Sequence, residues 1–229
     1  MTGRPAAAVL PPPLRVWLGL IAAFAALVVA VLGIRYADEG EPGMVDARIQ
    51  AAVDGVGPPW RYVALAADSL GEPVGAATLV VATVTGCLLL RRPRAAVFIV
   101  AGVGMTVATA TLLKHLVGRT IHGGYLSYPS GHTAFATALA LAVAMLATRR
   151  RDRDRDGLGP GRTAGTLLVL AAALVAGAAM GWAQVALGAH YPTDALGGWC
   201  TALAVIPATA WLVDRTADRL ADAGRRERR

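Results

Sequence analysis

The sequence predicts an all-α integral membrane protein, a bundle of six membrane-spanning helices. Of its 229 residues, 55% are hydrophobic and the mean hydropathy is +0.52, which is too apolar for an ordinary soluble domain. The apolar residues, mainly Ala, Val and Leu, form runs of about 20 residues, long enough to cross a hydrocarbon core of about 30 Å as helices. Arginines separate alternate runs, as is typical of a multi-pass chain.

Six apolar runs are visible in chain order, at residues 14–34, 73–90, 95–113, 131–148, 163–187 and 195–213. The first run resembles a signal peptide only in position. It is longer than a usual signal core and no small-x-small cleavage pattern precedes the acidic loop after it, so we interpret it as a membrane helix. The predicted parts are a cytoplasmic tail at 1–13, a six-span domain at 14–213 and a basic cytoplasmic tail at 214–229.

The arginines orient these spans. They cluster between runs two and three, between runs four and five, and after run six, whereas residues 35–72 carry seven acids and three arginines. The positive-inside rule places arginine-rich segments in the cytoplasm. Both termini are therefore predicted to be cytoplasmic. The acidic loop and the two loops that carry the histidine motifs then face outward, and this places the candidate site on the extracytoplasmic side of the cell membrane.

The overall charge excludes some function classes. The net charge is +7 and the pI about 10.2, but the arginines lie at membrane ends without an aromatic-basic surface, so no nucleic-acid partner is predicted. Cys87 and Cys200 both lie inside apolar runs and are interpreted as packing residues rather than a disulfide or metal site. No CxxC, HExxH or carboxylate cluster suggests a metal, and no cofactor is predicted.

Two short polar segments, YPSGH at 128–132 and HYPTD at 190–194, lead into the fourth and sixth apolar runs. Ser130 is a good N-cap, so the fourth helix is predicted to begin at or just after Gly131. Pro192 suits the first position of the sixth helix. Two helix N-termini thus open on the outer face, where free N–H groups bind anions and a glycine allows a close approach.

Charged residues complete this site. Asp194 falls in the first turn of the sixth helix and His190 just before it. Lys114 ends the third run at the same face, with Arg119 close behind it. A lipid phosphate is predicted to place its headgroup here, with its tail in the bilayer. Tyr125, Tyr128, Trp182 and Trp199 are expected to anchor the helices at the interface. A weak amphipathic pattern at Val45, Ile49, Ala52 and Val56 predicts a surface helix in the acidic loop.

Displacement at phosphorus requires a nucleophile, a proton donor for the leaving oxygen and positive charge on the equatorial oxygens. Two histidines, whose pKa values ordinarily lie near neutrality, suit the first two roles. One must be neutral and oriented by an acceptor, a role open to Asp194, and the other must be protonated. Lys114, the Ser130 hydroxyl and the backbone N–H groups supply charge stabilisation. This inventory requires no metal.

Together these residues resemble the type 2 phosphatidic acid phosphatases (PAP2), a family that includes bacterial undecaprenyl-pyrophosphate phosphatases and vanadium haloperoxidases. Lys114 matches the lysine of the first motif, residues 129–132 match Pro-Ser-Gly-His in full, and His190 and Asp194 match the His-x-x-x-Asp of the third motif. The resemblance implies a six-helix bundle of the PAP2 type. It further implies that His190 is a nucleophile that forms a phosphohistidine, that Asp194 orients it and that His132 is the general acid. The phosphate-binding residues that it implies are Lys114, Ser130 and Gly131.

The chain departs from the family pattern at both motif arginines. The Arg-Pro of the first motif falls on Ile121 and His122, and the Ser-Arg of the third motif falls on Ala183 and Gln184. A lost bidentate arginine contact removes a strong charge-assisted interaction. Arg119, two positions before Ile121, is the expected replacement, with help from His122, and Gln184 retains a hydrogen-bond donor.

These observations lead to one principal hypothesis and two alternatives. The principal one is a metal-independent membrane phosphatase acting on a polyprenyl phosphate or pyrophosphate, or on a glycerolipid phosphate such as phosphatidate. The first alternative is a weakened or inactive protein of the same fold that binds lipid phosphate or acts as a scaffold. A small transporter is disfavoured because the ionisable residues cluster at one interface instead of the bilayer midplane.

Overall fold

The structure, a computed structural model of the chain, describes residues 8–10, 15–53, 55–153 and 161–226. Within these residues the chain forms eight α-helices and one short antiparallel hairpin. The elements are α1 (Arg15–Arg35), α2 (Met44–Val53), α3 (Trp60–Gly71), α4 (Pro73–Leu89), α5 (Pro93–Val117), β1 (Thr120–Ile121), β2 (Tyr125–Leu126), α6 (Gly131–Arg153), α7 (Gly161–Ala186) and α8 (Pro192–Arg226). Most of the predicted tail at 1–13 and residues 154–160 of the arginine-rich loop lie outside the described residues.

Five of these helices, α1, α5, α6, α7 and α8, are long and apolar enough to cross a membrane. The second predicted run forms only the 17 residues of α4, and α4 passes the same test together with α3, from which it is bent by 64°. Counted as one broken span, the bent pair brings the number of membrane-length segments among the described residues to six. The prediction of an all-α membrane bundle with six spans is therefore confirmed.

The acidic loop is more ordered than the sequence predicted. Its amphipathic stretch forms α2, as expected, but α3 was not predicted because its 12 residues are too few and too polar to form a membrane-length apolar run. The last helix also differs from the expectation. It runs without a break to Arg226, so one helix continues across the predicted boundary between the domain at 14–213 and the tail at 214–229.

The interior lies where α6 packs against α5, α7 and α8. Phe98, Leu141, Met145 and Ile206 are fully buried there. Conversely, α1 exposes large apolar side chains such as Phe24, and no residue of α4 is buried. Apolar side chains on the outside of the bundle suit a bilayer, which solvates them as well as a protein interior does.

Two glycines bring α8 onto the start of α6. A Cβ atom at Gly197 would collide with the ring of Tyr128, and one at Gly198 would collide with the carbonyl oxygen of Ser130. The contact is fixed by a hydrogen bond of 2.9 Å from the Ser130 N–H to the Asp194 carbonyl oxygen. The two polar segments singled out in the sequence are therefore joined directly through their backbones.

The expected interfacial role of Tyr128 is wrong. Its side chain is fully buried, and its hydroxyl donates a hydrogen bond of 2.8 Å to the Val29 carbonyl oxygen of α1. Burial raises the pKa of this phenol, so it stays a hydrogen-bond donor. Tyr128 ties the loop before α6 to the first helix.

Candidate active site

The helix starts at both polar segments agree with the sequence prediction. Ser130 precedes α6, and its Oγ accepts a hydrogen bond of 3.3 Å from the Thr133 N–H, the geometry of an N-cap. At the start of α8 the Asp194 Oδ2 accepts a hydrogen bond of 3.0 Å from the Tyr191 N–H. This is one of the two hydrogen bonds of a capping box, in which an acid in the first turn accepts from the backbone N–H of the residue just before the helix.

His190 lies beside Asp194 in the short loop before α8. Its side chain is 9% exposed, and its Nδ1 is 3.8 Å from the Asp194 Oδ2. This distance is too long for a hydrogen bond, and the buried Nδ1 has no other partner among the described residues. Catalytic hydrogen bonds are often long before substrate binds. With Nδ1 turned toward Asp194, Nε2 is the ring nitrogen that is not engaged with this carboxylate.

The environment of His190 favours the neutral imidazole. Burial lowers its pKa below the ordinary value, because the charged ring loses hydration. Asp194 opposes this shift, while the positive charge of Lys114 and the neighbouring His132 add to it. A neutral ring is the form that acts as a nucleophile.

His132, in the first turn of α6, has a more open position. Its ring is 25% exposed, and its Nε2 is 3.5 Å from the Asp68 Oδ1 and 3.6 Å from the Glu72 Oε1. Gly71, between these acids, allows the close approach, because a Cβ atom there would overlap the His132 ring. Potential ligand atoms of the three polar residues lie within 4.8 Å of one another, a spacing suited to a cation, so metal independence stays a prediction.

Gln184 occupies the position of the missing arginine in the third motif. It is buried, and its Nε2 donates a hydrogen bond of 2.7 Å to the Asp68 Oδ1. This side chain therefore orients an acid beside His132. Asp68 links the position of the lost arginine to the candidate general acid.

Arg119 is enclosed in the protein. Its Nη1 donates hydrogen bonds of 2.6 Å to the Thr193 Oγ1 and to the Asp194 Oδ1, and its Nη2 donates one of 2.6 Å to the Asp46 Oδ2. The sequence suggested that this guanidinium grips the substrate phosphate. Since both terminal nitrogens are bonded to the protein and the side chain has no exposed surface, the structure places Arg119 behind Asp194 instead.

The remaining predicted site residues lie around the same helix ends. The Lys114 Nζ donates a hydrogen bond of 2.8 Å to the Leu126 carbonyl oxygen, at the base of the hairpin. Ser130 is fully buried and its Oγ is 3.1 Å from the Thr133 Oγ1. Space for a side chain is open at Gly131, where a Cβ atom would meet nothing within 4 Å.

The hairpin contains the other departure from the family motif. Ile121 is buried in β1, so its side chain belongs to the packing of the loop. His122 is exposed, and its Nε2 is 2.7 Å from the Gly188 carbonyl oxygen, which ties the hairpin to the loop before α8.

Three acids of the outer loop, Asp46, Asp68 and Glu72, were not singled out in the sequence. Asp46 precedes its partner Arg119 by 73 positions, and Asp68 and Glu72 precede His132 by 64 and 60 positions, so only tertiary folding brings each acid to its partner. One signal was available for two of them. Asp68 and Glu72 are four residues apart, a spacing that would place two side chains on one face of a helix, although Glu72 itself lies in extended backbone just after α3.

Comparisons with known proteins agree with the motifs. Residues 95–218 match a model of the PAP2 superfamily. The fold is similar to a structure described as the crystal structure of the first transmembrane PAP2 type phosphatidylglycerolphosphate phosphatase from Bacillus subtilis, with a TM-score of 0.65 and 20% sequence identity. The alignment covers 86% of this chain and 96% of that chain, and at this identity the likeness shows the fold alone. A search of curated protein sequences finds no match.

Proposed function

Because the chain belongs to the PAP2 superfamily, whose model matches residues 95–218, we propose that it is a lipid phosphate phosphatase with its site on the extracytoplasmic side. The observation that supports this most strongly is the meeting of two helix N-termini, where His190 and Asp194 lie beside His132 and Lys114. Lys114 and His132 are both close enough to act electrostatically on His190. The proposal is supported by a histidine whose pKa is lowered by burial, a second imidazole ring and a lysine that lie close to one another.

The proposed reaction has two steps. In the first, the His190 Nε2 attacks phosphorus, a P–N bond forms, and the P–O bond to the lipid breaks as His132 donates a proton to the leaving oxygen. In the second, water attacks the phosphohistidine, its proton passes to His132, and the P–N bond breaks to release phosphate. In both steps Asp194 accepts a hydrogen bond from the Nδ1–H of His190, and this stabilises the positive charge that develops on the ring.

In this proposal the phosphate is bound by Lys114 and the N-terminus of α6, without the two motif arginines. Lys114 provides a cation, while the backbone N–H groups at the start of α6, where space is open beside the partly exposed Gly131, provide hydrogen-bond donors at the positive end of a helix dipole. Ser130 shapes this helix start as its cap. The substrate class proposed is a polyprenyl phosphate or pyrophosphate, or a glycerolipid phosphate, hydrolysed without a metal.

A second candidate function follows from the two lost arginines. Ile121 is packed in the hairpin and Gln184 is bonded to Asp68, so neither position offers a cation to phosphate. This favours a catalytically weakened or inactive protein that binds lipid phosphate or acts as a scaffold. It differs from the first candidate in one property, turnover.

Phosphate release separates these two functions. The full chain is purified in detergent and assayed with phosphatidate, phosphatidylglycerophosphate and undecaprenyl pyrophosphate in mixed micelles, with and without a chelator. Phosphatase function predicts release that depends on His190 and survives the chelator. Lack of release from every substrate, or release unchanged by His190→Ala, would contradict it, and loss of release only with the chelator would contradict metal independence.

A further inference from the structure

A buried cluster of charge adjoins Asp194, the acid beside the proposed nucleophile. At its centre the Arg119 guanidinium lies between two aromatic rings, 4.0 Å from the ring centroid of Tyr36 and 4.4 Å from that of Tyr191. Asp46 and Asp194 each contact it at 2.6 Å and have no exposed surface. A planar guanidinium suits this place, because it stacks between rings and bonds two carboxylates at once.

Asp46 joins the acidic loop to the first turn of α8. Its Oδ1 accepts a hydrogen bond of 2.9 Å from the Thr193 N–H, and its Oδ2 accepts one of 2.9 Å from the Thr193 hydroxyl. The Gly43 N–H adds a contact of 3.3 Å. One carboxylate from α2 therefore fixes both Arg119 and the residue next to Asp194.

The two oxygens of Asp194 have separate partners. Oδ1 accepts from Arg119, while Oδ2 accepts from the Tyr191 N–H and faces the His190 Nδ1. With Oδ1 fixed, the carboxylate cannot rotate without breaking a short charge-assisted bond. The oxygen that His190 requires is thus held at a defined position before substrate arrives.

Charge balance gives Asp46 a second effect. Arg119 alone would neutralise much of the negative charge of Asp194 and weaken its interaction with His190. The Asp46 carboxylate compensates the guanidinium, so the cluster of two acids and one cation keeps a net negative charge beside the histidine. In a site enclosed from water such charges act strongly on their neighbours.

We infer that Asp46 and Arg119 are positioning residues for the proposed reaction, which hold the Asp194 carboxylate in the orientation and with the charge that His190 requires. This inference rests on the proposed function for its catalytic meaning. Under this inference Arg119 supports Asp194 and does not bind the phosphate. The acidic loop then contributes to the reaction through the buried side chain of Asp46.

The first test compares Asp46→Asn with Glu41→Gln in the full chain. Both variants remove one negative charge from the acidic loop, but Glu41 is exposed. For Asp46→Asn, kcat on phosphatidate is expected to fall by about 10- to 100-fold, as when a reacting group is misplaced. KM is expected to change less than about twofold, because no contact to substrate is lost. Glu41→Gln should behave as wild type.

The pH profile distinguishes this role from a merely structural one. His190 is faced by Asp194 from α8, Lys114 from α5 and His132 from α6. In Asp46→Asn the uncompensated Arg119 opposes protonation of His190 and lowers its pKa further. The acidic limb of kcat/KM should therefore move to lower pH. A fall in kcat with an unmoved limb would show that Asp46 only stabilises the fold and would overturn the inference.

A measurement without substrate separates this inference from the proposed function. The chain has four histidines, and isotope labelling with a His190→Gln reference assigns the His190 signal for titration by NMR in detergent. The signal should titrate at lower pH in Asp46→Asn than in wild type or Glu41→Gln. This result would support the electrostatic role even if the wild type releases no phosphate, whereas identical titrations would reject it even in an active enzyme.

Arg119→Lys is the second variant, and it carries the test if Asp46→Asn does not fold. Lysine retains the buried charge but cannot bond both carboxylates from one plane. We expect kcat to fall while the affinity for inorganic phosphate, read from the histidine signals, stays within about twofold of wild type. A clear loss of phosphate affinity would show that Arg119 contacts the anion and would overturn the assignment.

Discussion

His190 and His132 stand at the starts of two adjoining helices, but the acids beside them are held in opposite ways. Asp194, beside His190, is fully buried and bonded to Arg119 at 2.6 Å. Asp68 and Glu72, beside His132, are 25% and 56% exposed and lie 3.5 Å and 3.6 Å from its ring. An enclosed acid can fix the tautomer of a neighbouring imidazole, whereas a partly exposed ring can exchange protons with its surroundings.

Removing the enclosed histidine should have the largest effect. If His190 forms the covalent intermediate, His190→Ala is expected to reduce phosphate release by at least about 10³-fold, as for other lost nucleophiles. His115→Ala is the matched control, since His115 is exposed on α5 and should leave the rate unchanged. Equal rates for wild type and His190→Ala would place the nucleophile elsewhere.

Removing the open histidine should have a smaller effect that depends on the leaving group. With His132→Gln, hydrolysis of a lipid phosphate is expected to slow by about 10²-fold, because an alkoxide leaves poorly without a proton donor. Hydrolysis of p-nitrophenyl phosphate, whose leaving group needs little protonation, should slow much less. The same loss on both substrates would indicate that His132 holds phosphate rather than donating a proton.

The acids beside His132 should act on affinity more than on chemistry. Two carboxylates near a bound phosphate repel it, so Asp68→Asn and Glu72→Gln are each expected to lower the Ki of inorganic phosphate by about two- to fivefold, the range for partly exposed charge pairs. The Ki is measured by competition with phosphatidate. A higher Ki after either change would show that these acids support the anion, for example through a bound cation.

Restoring a family arginine should give the smallest change. Gln184→Arg places a cation at the third motif, but Asp68, already bonded to Gln184 at 2.7 Å, pairs with it and offsets most of the added charge. We expect the Ki of inorganic phosphate to fall by only about two- to threefold. The control is Gln184→Lys, which adds a positive charge without a planar guanidinium. Its Ki for inorganic phosphate should fall by less than that of Gln184→Arg. A decrease of tenfold or more in the Ki would mean that Asp68 does not offset the positive charge added at position 184.

Local sequence signals predicted much of the fold and the core of the site. Run lengths predicted the membrane helices, Ser130 and Pro192 predicted where α6 and α8 begin, and the motif spacing singled out His190, Asp194 and His132, which the structure brings close together. These features depend on helix length and capping, which are properties of neighbouring residues. The hairpin was not predicted, since each of its strands has two residues.

The partners of the site residues required the structure because they are distant in the chain. The bond between the Thr193 N–H and Asp46 joins residues 147 positions apart, and that between Gln184 and Asp68 joins residues 116 apart. No periodic pattern encodes such pairs. Arg119 was predicted to bind phosphate because it follows Lys114 closely in the sequence. The two acids that enclose it, Asp46 and Asp194, are 73 and 75 positions away, so the sequence did not indicate them.

Trapping the intermediate tests the central claim most directly. The chain is mixed with the best lipid substrate carrying a radiolabelled headgroup phosphate, quenched within one turnover and digested. The account predicts a label on the peptide that contains His190, stable in alkali and lost in acid as expected for a phosphohistidine, and no label in His190→Ala. Phosphate release from an active wild-type protein without any label, or with a label on another residue, would contradict it.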